Sequence, residues 1–490
     1  MMEVIVVGSG PAGIAAAKGL LERNCRVTLL DVGYTLGFNK NALLNNPSLR
    51  HHANARKKNK LPYGSNFIYK GVADYFSWTT KNCYFQPSFA RGGLINAWGG
   101  SISEYSAQEL INWPSDCRNK LPLYYSQMIQ WMGQYYTNNN ITTLSQQAVS
   151  LYNIWNRNQA ALAMQGFSFQ VATLALDFMQ CRTCGLCQYG CPYELIYNSA
   201  IHLESLKLNN NFQYIPNVVV ENFFENDSQV EIVMTNVNDK SSLRLFSKKL
   251  FIACGAGMSS LLYLRSFNKF DKKLILKDSQ HFVLPCLLNR RIHGVMQESL
   301  HTLCQLKTSL VHQDISHYPV QLQLYTYMDL YVQEIKNKSK CMYPILKPLL
   351  IPWIERLVVL QGYLHSQESG SLLIQYNASG TFEINAIRRK ESHNIINNIV
   401  RYLKQHKRSI ALYPLTFMLI RSLIGQSNHV GGSIPMSSNP QEDEVDIWGR
   451  PNHFKAIHFV DGSIFPSIPA GPITLTIMAN AYRIAKEVPL

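Results

Sequence analysis

The sequence predicts an α/β fold, α+β overall, in which a parallel dinucleotide-binding domain is joined to a domain built on an antiparallel sheet. Three observations predict it. A glycine-rich turn lies between an apolar run and a small-residue helix within the first 21 residues. A second apolar run ends in another glycine turn, Gly255-Ala256-Gly257. From about Phe282 to Tyr413 the pattern changes to alternating apolar and polar residues, as antiparallel strands with one covered face require.

Taken in order, Val4–Val7 suits a strand buried on both faces. Gly8, Gly10 and Gly13 follow in G-x-G-x-x-G order, with Ser9 and Ala12 inside the same loop, then a helix over Ile14–Leu21. The first glycine permits the tight turn, the second lets a pyrophosphate approach the backbone, and the third lets helix and strand pack closely. The helix N-terminus offers unpaired N–H groups to phosphate. A second strand, Arg26–Leu30, ends at Asp31, whose carboxylate can accept from ribose hydroxyls. Strand, helix, strand and acid in this order mark a Rossmann-like domain; the motif alone does not separate FAD from NAD.

Residues 34–66, rich in Asn, Lys and His, read as a solvated segment. Gly92, Gly93, Gly99 and Gly100 crowd around Asn96 and Trp98, a density that suggests backbone close to a ligand. Residues 121–136 read as an amphipathic helix and 137–144 as a polar loop. Phe212–Phe224 and Gln229–Thr235 read as strands joined by a turn at Glu225–Ser228. Lys249–Cys254 is a strand and Ser259–Ser266 a helix. Strands are expected at Val320–Tyr325, Arg356–Gly362, Ser371–Gln375 and Phe382–Ile384, with a hairpin turn at Tyr376–Thr381 and a helix over Glu391–Gln405. The expected organisation is a discontinuous cofactor domain (1–120, 196–280 and 426–490), a helical and cysteine-bearing insertion (121–195) and a substrate domain (281–425).

Apolar residues make up 46% and charged residues 16% of 490, enough for a large core and unlike a disordered chain. The formal net charge of +15 favours anionic partners, or reflects a solvated basic surface. No nucleic-acid-binding signature is present. The nucleotide motif starts within a few residues of Met1, leaving no room for a secretory leader, so a cytoplasmic location is expected. Apolar stretches near Ile345–Leu360 and Ile410–Ile424 are broken by prolines and charges and do not read as spanning helices, although they allow peripheral contact with the inner face of a membrane.

Cys181, Cys184, Cys187 and Cys191, followed by Pro192, have the C-x-x-C-x-x-C-x-x-x-C spacing of bacterial ferredoxins. The expectation is an iron–sulfur cluster, 4Fe–4S before 3Fe–4S, closed by Cys191 or by a remote cysteine. Zinc more often uses two separated C-x-x-C pairs.

The carboxyl-terminal third carries a His-x-x-Gly-x-x-x-Met stretch at His429, a Val-Asp-x-x-Gly-Arg stretch at Val445 and an Asp-Gly-Ser-x-x-Pro stretch at Asp461, in order and before a terminal helix. With the Gly8–Gly13 motif, the glycines at 92–100 and the Ala253–Gly257 turn, this resembles the glucose-methanol-choline (GMC) oxidoreductase family, here with a ferredoxin-like cysteine motif added. Residues 282–425 carry no matching motif. The resemblance implies FAD. By position it implies that Gly8, Gly10, Gly13 and Asp31 hold the ADP half and that Val219 lies near the adenine. Gly93, Asn96, Trp98, Gly99 and Gly100 would approach pyrophosphate and flavin. Gly255, Asp461, Gly462 and the helix beginning at Thr474 would complete the site. It also implies that His429 is the base for a hydroxyl proton, a task suited to a neutral imidazole.

One departure stands out. The family usually places a second His or Asn just before the terminal helix; Pro469–Thr474 has neither. The expected function is an FAD-dependent dehydrogenase of a sugar or other alcohol. Hydride would go to flavin N5, and electrons would leave through the cluster to a one-electron acceptor protein or a quinone. The alternative is a flavin and iron–sulfur electron-transfer or redox-binding protein without an alcohol substrate. His458 reads as structural.

Overall fold

The computed structural model describes residues 1–35, 67–136, 141–227, 229–329, 331–332, 336 and 343–490. Most of the solvated segment at 34–66, and Ser228 of the expected hairpin turn, lie outside these residues.

The first layer is a parallel sheet. Its strand order is Ile457–Phe459, Lys249–Ile252, Glu3–Val7, Arg26–Leu30 and Phe212–Ile215. The helix Pro11–Leu21 carries the chain from the central strand to its neighbour, and nine of its residues are buried because alanines and glycines let it lie close. The terminal helix Thr474–Glu487 packs on it. At Gly19 even a Cβ would come within 2.8 Å of the Ala485 Cβ. Arg23 Nη1 donates to the carbonyls of Ala485 and Val488 at 3.0 and 2.7 Å, capping the last helix with a cation. Both ends of the chain thus build one wall.

The single strand expected over Phe212–Phe224 is two. Pro216 interrupts it and Asn217 takes a φ of 63°, so Phe212–Ile215 joins the parallel sheet while Val218–Glu225 turns away. Val218–Glu225 pairs instead with Val230–Asn236, and that strand pairs with Ser242–Ser247. This last strand was not expected from the sequence; it is largely exposed, with Leu243 and Phe246 38% and 53% exposed, and only Leu245 and Ser247 turn inward.

The antiparallel region forms two sheets. The smaller orders Val430–Gly431, Lys273–Asp278, Ser371–Tyr376, Phe382–Ile387 and Trp78–Lys81. The larger orders Leu412–Pro414, His281–Leu288, Leu357–Tyr363, Val320–Tyr325, Leu306–Leu310 and Phe167–Val171, with Ile420–Arg421 beside His281–Leu288. Phe167–Val171 comes from within the stretch expected as an insertion. One face of the larger sheet, including Phe282, Leu284, Leu322 and Leu360, packs on Ile395, Ile396 and Ile399 of the helix Lys390–Gln405. The two-residue alternation of strands then places His281, Gln361, Tyr363, Gln321, Gln323 and Tyr325 on the opposite face. Among the described residues no helix is long and apolar enough to cross a membrane.

Candidate active site

A cavity of about 460 Å³ lies between the strand ends of the parallel sheet and the polar face of the larger antiparallel sheet. Three helices begin at its wall. They are Pro11–Leu21, Ala256–Ser266 and Thr474–Glu487, and none has an acidic residue in its first turn. Their N-terminal dipole ends favour negative charge in the cavity.

Gly8, Ser9, Gly10, Ala12 and Asp31 line one end. Gly8 has a φ of 103°, and a Cβ there would lie 2.5 Å from the Ala253 carbonyl oxygen. Asp31 is buried with one carboxylate oxygen accepting from Ser9 Oγ and, at 3.2 Å, from the Tyr214 hydroxyl. Burial pushes its carboxyl up to about 6, against the pull of those two hydrogen bonds. Ser9 Oγ also accepts from Gly92 N at 2.9 Å, which ties the glycine-rich segment at 92–100 to the first loop. Val219 lines the cavity beside them, as do Gly93, Trp98, Gly99, Gly255, Gly462 and Thr474.

Gly13, Asn96 and Gly100 do not line the wall, although the sequence grouped them with it. Gly13 is the packing glycine: a Cβ there would fall 1.8 Å from the Gly8 carbonyl oxygen. Asn96 spends its amide on the loop, donating to the carbonyls of Arg91 and Gly93 at 2.9 and 2.7 Å and accepting from Asn198 Nδ2 at 2.8 Å. Gly100 turns the chain with a φ of 64° and accepts from Ala175 N at 2.6 Å. Asp461 lies at the wall, but its carboxylate is engaged by Gly255 N at 2.8 Å, Ser463 N at 2.9 Å and Ser259 Oγ. It fixes the start of the helix Ala256–Ser266.

His429 lines the same cavity, and its Nδ1 is buried without a protein partner. Burial, and then the neighbouring His281, lower its pKa to about 3, so the ring is neutral. Its position comes from Asp278, which the sequence did not single out. The Asp278 carboxylate accepts from Gly425 N at 2.8 Å and from Ser427 Oγ, and Ser427 Oγ accepts from His429 N at 2.9 Å. The opposing wall, also unforeseen, is formed by His281, Gln323, Tyr325, Gln361 and Tyr363. The only signal for it was a set of glutamines and tyrosines at two-residue spacing in otherwise apolar strands. His458 is structural: its Nδ1 bonds the Trp448 carbonyl at 2.9 Å, and its ring stacks on Phe251.

The cysteine loop borders the cavity through Gln188. Cys181, Cys187 and Cys191 are partly buried and Cys184 is exposed. Cys191 Sγ accepts from Leu195 N at 3.4 Å. Burial pushes the Cys187 thiol up to about 12. Among the described residues no three His, Cys, Asp or Glu side chains converge into a group able to hold a metal, so these four thiols do not fit a cluster as they stand.

Residues 401–481 match the GMC oxidoreductase family profile, and residues 6–70 match the profile of NAD(P)-binding Rossmann-like domains. No curated protein sequence gives a significant match. Among solved structures the chain is similar to pyridoxine 4-oxidase from Mesorbium loti, at a TM-score of 0.63 and 12% identity over 99% of each chain. That likeness is one of fold.

Proposed function

We infer that this chain, which matches the GMC oxidoreductase profile over residues 401–481, is an FAD-dependent dehydrogenase that oxidises a CH–OH group with His429 as the base. The observation that carries the reading is the presence of His429, neutral and with a free ring nitrogen, in the same cavity as the Gly8–Asp31 dinucleotide cradle.

The chain's residues fit FAD. Glycine at 10 and 93 leaves room for a pyrophosphate, Asp31 offers a carboxylate to ribose, and three helix N-termini favour phosphate and a negatively charged reduced ring. Val219 would border the adenine, while Trp98, Gly99, Gly462 and Thr474 would border the flavin half. Bound flavin supplies an acceptor for the hydride of the carbinol carbon. The hydroxyl proton goes to His429. The neutral ring is the form able to accept it.

The opposing wall of amides and phenols suits a polar alcohol, and sugars are the substrate class we favour. Pyridoxine, named for the neighbour of similar fold, is a second candidate. Electron exit through a cluster at Cys181, Cys184, Cys187 and Cys191 rests on their spacing alone. Iron and sulfide analysis of anaerobically purified protein tests it. Peripheral membrane contact is supported by Ile345, Leu349 and Trp353, which lie on one side of a helix and are 76%, 69% and 56% exposed; liposome flotation tests it.

The test of the main reading is anaerobic flavin reduction by a series of primary alcohols and sugars, with pyridoxine and benzyl alcohol included. His429→Ala should bind flavin normally and slow the reduction roughly 10²–10⁴-fold. Reduction at the wild-type rate would remove His429 from the chemistry.

A further inference from the structure

Resting on that reading of His429, we propose that His281 is the second imidazole of the site, supplied by the antiparallel sheet to hold the substrate oxygen. The segment before the terminal helix cannot supply such a group. Gly471 has a φ of 116°, and a Cβ there would meet the Gln321 amide at 2.3–2.7 Å. The space beside Gly471 is already filled from the opposing sheet.

His281 reaches the site from that same sheet. It pairs in register with Tyr363, and Tyr363 pairs with Gln321, so the three form one row across neighbouring strands. The Tyr363 ring links the two imidazoles. Its centroid lies 4.9 Å from that of His281 and 4.9 Å from that of His429, with planes 34° apart in each case. Both histidines line the cavity.

The His281 ring is fixed at one end and free at the other. Its Nδ1 lies 2.7 Å from Ser422 Oγ. Ser422 is itself anchored, its N–H donating to the His281 carbonyl at 3.1 Å and its carbonyl accepting from Gln280 Nε2 at 2.8 Å. Nε2 is buried without a hydrogen bond of ordinary geometry, and the Gln361 side chain stands beside the ring as a nearby acceptor. Leaving such an atom unpaired is unfavourable, and a bound hydroxyl would satisfy it.

With the Ser422 hydroxyl donating to Nδ1, the ring proton resides on Nε2. His281 then donates to the substrate oxygen while His429 receives that oxygen's proton. The C–H bond gives its electron pair to the flavin as hydride, the O–H proton ends on His429, and His281 keeps its own proton throughout. Its contribution is orientation of the hydroxyl and stabilisation of negative charge building on oxygen.

The test uses the flavin-loaded full chain. His281→Ala should retain flavin and its unfolding midpoint yet slow anaerobic reduction by benzyl alcohol or the best alcohol of the series roughly 10²–10³-fold, the scale of losing one preorganised donor. His281→Gln, which keeps an N–H, should recover part of that loss and serves if the alanine variant does not fold. Reduction of both variants at the wild-type rate overturns the proposal. A second readout needs no substrate. In protein labelled with 15N at histidine, the shifts assigned to His281 by its absence in His281→Gln should be those of the Nε2–H tautomer, and Nδ1–H shifts overturn the proposal. Should no alcohol reduce even the wild type, the dehydrogenase reading falls while the tautomer still decides for or against His281 as a donor.

Discussion

Alanine at Gly10 and alanine at Gly13 should fail in different ways, although both lie in one motif. At Gly13 a Cβ would sit 1.8 Å from the Gly8 carbonyl oxygen, where ordinary contact begins at 3.4 Å. Helix and loop would have to separate by about 1.6 Å, and the obstacle is backbone that cannot rotate aside. Overpacking of this kind costs about 1–3 kcal/mol, occasionally more. Gly13→Ala should therefore lower the unfolding free energy of flavin-free protein by that amount. At Gly10 the nearest protein atom to a Cβ is 4.0 Å away, and the residue adopts an extended φ of −65° open to any side chain. Gly10→Ala should leave the flavin-free protein within about 0.5 kcal/mol of wild type. Its methyl group would stand in the cavity where a pyrophosphate must approach. A penalty of about 1–3 kcal/mol there weakens FAD binding roughly 5- to 150-fold. Denaturant unfolding of the flavin-free variants, paired with FAD titration followed by flavin fluorescence, separates the two effects. Wild-type FAD affinity in Gly10→Ala, or wild-type stability in Gly13→Ala, would refute the reasoning.

Three further predictions concern buried ionisable groups. Burial raises Asp31 to about 6 from 3.8, so its charge opposes folding above that window; Asp31→Asn should stabilise flavin-free protein by at most about 3 kcal/mol at pH 8. The gain should vanish below pH 4, and FAD affinity should fall; a variant less stable than wild type at pH 8 contradicts this. Asp278→Ala strips Gly425 N and Ser427 Oγ of their acceptor and loosens the link to His429, so it should cost about 1–3 kcal/mol in thermal or denaturant unfolding and slow flavin reduction. Six histidines, His202, His281, His301, His365, His429 and His458, are pushed by burial to about 3–4. The unfolded chain takes up their protons below about pH 6.5, so stability should fall as pH drops from there toward 4. Asp31 and Asp278, both raised to about 6, act in the opposite sense. The net slope is at most on the order of 5 kcal/mol per pH unit, readable from denaturant midpoints between pH 7 and 5. A flat profile over that range contradicts it.

The parallel layer was legible because its signals are local: a glycine loop, a buried apolar run and a small-residue helix adjoin in sequence. The carboxyl-terminal motifs placed His429, Gly462 and Thr474 at the same cavity as the first glycine loop for the same reason. The opposing wall was not legible. A glutamine at every second position of a strand is written identically whether that face meets solvent or a buried cavity, and only the covering helix Lys390–Gln405 decides which face is which. The Asp278–Ser427 link spans 149 residues and leaves no pattern. Within the glycine motifs, residue type did not distinguish glycines that face the cavity from glycines that pack: Gly10 does the first, Gly13 and Gly100 the second. Pro216 was visible as a strand breaker, yet the flanking apolar residues on both sides concealed that they belong to different sheets.

The most direct measurement is the cofactor released by denaturing the purified protein, identified by chromatography and mass spectrometry and quantified per chain, with reconstitution of any flavin-free fraction. The account predicts FAD at close to one per chain, bound tightly enough to survive gel filtration and held more weakly in Gly10→Ala. A chain that carries no flavin and takes up none from added FAD, or that binds NAD in its place, would contradict it.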